Sequence, residues 1–94
     1  MKVFLLKIKL RAPWVHSLKE KRMIVRSIIQ RLKNTFNISV AEVEEQDVHQ
    51  TIVIGITGIG ANNAQVDSII DNIISFVESS TEAEVVNIET EIIY

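Results

Sequence analysis

The residues with the clearest chemical capacity are cations. Lys19, Arg22, Arg26 and Lys33 follow one another at spacings of three, four and seven, with Lys21 and Arg31 close by. On a helix those spacings put the four on one side. Guanidinium and ammonium groups so arranged can contact successive phosphates of a polyanion without reading its bases. Binding of that kind is strongly salt-dependent and suits structured RNA. Lys19, Lys21, Arg22, Arg26 and Lys33 are therefore the candidate RNA-binding residues. The competing expectation is that these cations pair with Asp67, Asp71 and Glu78 further along the chain.

The overall balance conceals this concentration of charge. The net charge is −2, yet all ten Lys and Arg lie at or before Lys33 with a single acid, Glu20, among them. Residues 1–37 thus carry a net +9 and the remaining 57 residues −11 with both histidines neutral. Such segregation makes opposed surface fields, which steer a polyanion to one side or join the molecule to a partner or to itself.

Other chemistries are poorly supplied. The absence of Cys excludes disulfides, thiolate metal sites and cysteine catalysis, and it suits a reducing cytoplasm. Gly55, Gly58 and Gly60 precede a helical segment, but Asn63 stands where a nucleotide-binding loop has its third glycine, so Gly58 and Gly60 are expected to serve a turn. Glu42, Glu44, Glu45, Asp47 and His49 match no calcium or zinc spacing and are read as a solvated turn. His16 and His49 lack a catalytic neighbour at a recognised spacing. Trp14 could stack on a base, anchor a partner or simply pack over a helix start. No cofactor, metal or small-molecule substrate is expected, and the chain is read as no enzyme.

The elements that must position the cations are legible from periodicity. Val3–Leu10 alternates as a strand, with Phe4, Leu6, Ile8 and Leu10 on one face. Lys7 and Lys9 break the apolar run, so it is no signal peptide, and no stretch is long enough to span a membrane. Ser17-Leu18-Lys19-Glu20 forms a capping box ahead of a helix whose Leu18, Val25, Ile28, Ile29, Leu32 and Phe36 make one buried stripe, ending at Asn34 or Asn37. Ile38–Val43 and Gln50–Ile59 read as an antiparallel hairpin. A second helix starts at Asn62 or Asn63, has Asp67 and Asp71 near its positive end, and runs to about Ser79; Ala83–Tyr94 forms the last strand.

The order βαββαβ over residues 1–94 is that of one ferredoxin-like α+β domain. Its four-stranded antiparallel sheet is expected in the order 4-1-3-2, with both helices on one face. The other face is left open, and Val3, Leu5, Lys7, Lys9 and Val53 form a candidate partner surface there, suited to a homodimer or hetero-complex. Glu89 and Glu91 are expected to pair with Lys7 and Lys9 across strands. Acylphosphatases share this topology, but the Arg11–His16 loop lacks their glycine-rich phosphate cradle. RNA recognition motifs share it too, but no aromatic residue stands on the open face to stack a base.

Ser17-Leu18-Lys19-Glu20-Lys21-Arg22, the run Phe36–Val43, Glu45-Gln46-Asp47 and Val66-Asp67 resemble the YlxP-like family of small bacterial proteins of unknown function, along essentially the whole chain. The resemblance implies a ferredoxin-like fold and supplies no catalytic residues. Genes of this family often lie among translation genes, which implies association with ribosomal RNA or ribosome-assembly proteins; the cytoplasmic location is expected from the residues themselves, which supply neither a targeting signal nor a membrane span.

Overall fold

Alternation in the first strand decides which face of the sheet is covered. A computed structural model describes residues 1–94, and in it β1 (Lys2–Arg11) buries Phe4, Leu6, Ile8 and Leu10 while Leu5 and Lys9 point the other way. β1 is followed by α1 (Leu18–Thr35), β2 (Ser39–Glu44), β3 (Thr51–Gly60), α2 (Asn63–Ser80) and β4 (Glu84–Ile92). All pairings are antiparallel and the sheet order is β2-β3-β1-β4, which is the ferredoxin-like arrangement read from the sequence. Ile52, Ile54 and Ile56 of β3 join the β1 side chains beneath the helices, and 18 buried residues form one apolar cluster. No helix is long and apolar enough to cross a membrane.

Both helices begin where their caps dictate. The Ser17 hydroxyl accepts from the Glu20 amide at 3.1 Å, and the Glu20 carboxylate accepts from the His16 amide at 3.4 Å, one residue before the cap amide expected of the capping box. Asn62 caps α2 by accepting from the Gln65 amide at 2.9 Å, and the Gln65 side chain in turn accepts from the Ala61 amide. The first turn of α2 contains no acid, so Asp67 and Asp71 sit too far along to answer the helix dipole. Phe36, rather than Asn34 or Asn37, closes α1, and its ring meets Phe76 of α2 edge-on at 5.6 Å.

The three glycines are strand residues, and none has a positive φ. Their smallness has a steric purpose, which for Gly58 and Gly60 stands in place of the expected turn. A Cβ on Gly58 would come within 2.8 Å of the Phe4 ring, one on Gly60 within 2.8 Å of Val66 in α2, and one on Gly55 within 2.7 Å of Val43. Gly58 and Gly60 therefore make room for an aromatic ring and for the first turns of α2 on the helix side. Gly55 lets Val43 lie across the open side.

Gly58→Ala is expected to destabilise the protein by about 1–3 kcal/mol through overpacking against Phe4. Urea denaturation checks this, and a Phe4→Leu change that makes space should recover part of the loss.

Candidate functional site

Helix α1 presents its cations according to angle. Val25, Ile28 and Leu32 face the core, and Arg31 turns toward α2, where its guanidinium donates to the Ser80 carbonyl at 2.9 Å. At 100° per residue, Lys19, Arg22, Arg26 and Lys33 lie roughly 120–180° around the helix from Arg31. They are exposed and make no ion pair within the chain. The expected neutralisation by Asp67, Asp71 and Glu78 is absent because the stripe and α2 are on different flanks of α1. Four unpaired cations on one flank can hold oxyanions spaced along it.

Lys21 does not belong to that surface. Its side chain is 1% exposed, because Lys21, Val25, Ile28 and Leu32 form the buried stripe at spacings of four, three and four. The ammonium donates to the Glu45 carbonyl at 2.6 Å and lies 2.9 Å from Glu42 Oε2. Glu42 Oε2 has no aligned hydrogen bond, so charge alone holds this second contact. Glu45 has a φ of +59°, a left-handed conformation that costs a non-glycine residue about 1 kcal/mol or more. Its carbonyl also accepts from the Val48 amide at 3.0 Å, so Lys21 locks the turn after β2. Glu42 is thus a structural counterion and no part of a solvated turn. The sequence signal for Lys21 is its spacing to Val25, Ile28 and Leu32, and that for Glu42 is its alternation with Ile38 and Val40, which the observed register opposite Ile54 places on the helix side of the sheet.

The open face is less apolar and less flat than its sequence implies. Val53 is 3% exposed and so is unavailable to a partner; Lys9 and Glu44 flank it in the register. Lys7 is held between Glu44 at 2.7 Å and Glu89 at 3.1 Å. Lys9 lies opposite Asn87 and Glu91 opposite Leu5, so the expected second ion pair does not form. Val3 is half-buried and Leu5 is 41% exposed. Beside Leu5, the small residues Ser39, Ala41 and Gly55 leave a shallow trough of about 510 Å³, with Val43, Lys7 and Glu91 at its margins. The Glu44 hydrogen bond, and after it the Glu89 hydrogen bond, raises the Lys7 pKa above its ordinary 10.5.

The remaining candidates are not brought together. No group of three or more His, Cys, Asp or Glu is placed to hold a metal ion. His16 and His49 are exposed loop residues. The loop before α1 is tied down by Gln50, whose side-chain amide donates to the carbonyls of Pro13 at 3.0 Å and Val15 at 3.3 Å. Trp14 is left partly exposed on that loop.

Residues 3–90 match the family model DUF503, described as a protein of unknown function. The chain is also similar to the "Uncharacterized protein YlxP" of Bacillus subtilis (strain 168), at 34% identity over 68 residues covering 72% of this chain and 74% of that protein.

Lys21→Met strands the Glu42 carboxylate and is expected to cost on the order of 3–5 kcal/mol in chemical denaturation, with most of it regained when Glu42→Leu is added. The Lys7 contribution has the sign of a raised basic pKa. It is complete below 10.5 and is lost as pH rises through the higher folded value. The gap in denaturation midpoint between wild type and Lys7→Gln should therefore be constant near neutrality and shrink above pH 10.5.

Proposed function

The chain belongs to the DUF503 family of proteins of unknown function, and from that premise we propose that it is a cytoplasmic, non-enzymatic module that docks the outer flank of α1 onto phosphates of ribosomal RNA or its precursor. One observation carries the reading. Lys19, Arg22, Arg26 and Lys33 are exposed, share a flank and have no internal counterion, so a polyanion meets them without first displacing an acid. Lys21 contributes indirectly, since its buried contacts hold α1 against β2 and keep the stripe outward. The stripe runs for about 21 Å from Lys19 to Lys33 at 1.5 Å per residue, enough to follow several phosphates along one strand. With no aromatic residue in the stripe, the mode is backbone contact, with sequence preference left to RNA shape.

A second reading has its own observation. The trough beside Leu5 and Gly55, with Val43 exposed at its margin, supports a protein-interaction module that engages a partner or a second copy through the open face. Leu5→Glu separates the two, because it would disrupt a partner at the trough and leave α1 untouched.

RNA binding measured across a salt series is expected to show log K falling against log[salt] with a slope of about −3 to −4 for four phosphate contacts. Arg22→Glu with Arg26→Glu, folded by circular dichroism, should make that slope shallower by about 2. A wild type that binds no RNA even at low salt overturns the reading.

A further inference from the structure

The helix layer does not cover the whole sheet. α1 packs on β2, and α2 lies over β3 and β1, while β4 has no comparable cover. In the register, Ile88 stands opposite Ile8 and Ile92 opposite Phe4, so both belong to the helix side of the sheet. They are nevertheless 37% and 40% exposed, where Ile8 and Phe4 are buried. Beyond them the outer backbone edge of β4 is unpaired, as is that of β2 at the opposite end of the sheet. A nine-residue edge strand with two isoleucines left bare on its core side is a surface that calls for an occupant.

The flank of α2 that overlooks this strip is acidic. Phe76 and Ser80 mark the side of α2 that meets α1. At 100° per residue, Ile74, Asp67, Glu78 and Asp71 lie roughly 120–180° around the helix from them, toward β4. The three acids are exposed and form no ion pair, and Ile74 is half-buried at their base. The strip is therefore a floor of Ile88 and Ile92, with Thr90 between them, beneath an acidic wall.

The outer flank of α1 has the complementary layout. Leu18 and Ile29 are half-buried at its base, and Arg22, Arg26 and Lys33 stand above them. Leu18 and Ile29 are about 16 Å apart along the helix, and Ile88 and Ile92 about 13 Å apart along the strand. The basic flank lies at the β2 end of the molecule and the acidic strip at the β4 end. Because neighbouring strands all run antiparallel, β4 runs opposite to β2. A second copy that extends the sheet past β4 thus preserves the strand alternation and brings its own α1 over the bare face, on the correct side.

We propose that this chain associates with itself head to tail, the basic outer flank of α1 in one copy seating on Ile88, Ile92 and the Asp67, Asp71 and Glu78 flank of the next. Symmetrical contact of two β4 strips would set acid against acid, whereas the head-to-tail contact sets cation against acid. The two surfaces are different, so the contact is heterologous, and each added copy offers a fresh strip. RNA and the next copy then compete for the same stripe of α1, but self-association does not depend on RNA binding.

The test uses two variants of the full chain, each disabled on one surface and shown to be folded by circular dichroism. Arg22→Glu with Arg26→Glu removes the basic flank, and Ile88→Lys with Ile92→Lys removes the strip. In analytical ultracentrifugation at low salt, wild type is expected to form species larger than two chains that dissolve at high salt. Each variant alone should sediment as a monomer, and an equimolar mixture should stop at a species of two chains joined by the one intact pair of surfaces. A wild type that stays monomeric at all concentrations, a wild type that stops at a dimer, or a mixture that fails to associate overturns the proposal. An Ile88→Ser, Ile92→Ser variant keeps α1 intact and adds no charge, so its RNA binding reports separately on the phosphate-docking reading.

Discussion

A single desolvated ammonium determines how the first helix sits. Lys21 occupies a core position of α1, where water is excluded, so its charge must be answered by protein groups or the helix cannot seat. Glu42 and the Glu45 carbonyl supply that answer, and both belong to the end of β2 and the turn that follows it. Apolar packing could accommodate several rotations of an amphipathic helix, but an ion pair at 2.9 Å in a dry setting admits few. The pair thereby fixes the face α1 turns to the core and, with it, the flank that carries Arg22, Arg26 and Lys33 outward.

That anchoring has a consequence at the far edge of the sheet. With α1 held at the β2 end and α2 packed beside it through Phe36 and Phe76, the helix layer is displaced from β4. The two helices therefore protect β1, β3 and β2, and leave Ile88 and Ile92 partly in solvent. The arrangement also separates the charges in space. The basic flank and the acidic flank of α2 end up on opposite sides of the layer, which is why so many charges remain unpaired in so small a protein.

The glycines and the β2 bulge are smaller adjustments to the same packing problem. Close approach of Phe4, Val66 and Val43 to β3 requires a strand with no Cβ at three points. The bulge between Glu42 and Glu44 turns Glu42 inward to Lys21 and Glu44 outward to Lys7. One extra residue thus lets neighbouring carboxylates serve opposite faces of the sheet.

The sequence by itself determined the order and type of all six elements, the helix N-caps, the inward face of β1 and the crowding of cations into the first 37 residues. These are local matters of periodicity, capping and composition, which the chain carries wherever it folds. Lys21 reads in the sequence as an RNA-binding cation although its spacing to Val25, Ile28 and Leu32 is that of the buried stripe, and no local pattern names Glu42 as its counterion. Only the tertiary structure decided which cations are free, that Val53 is covered, that the glycines relieve steric contact rather than form a turn, and that β4 is left uncovered. Each of those depends on which distant element lies opposite, and burial and pairing are properties of that juxtaposition.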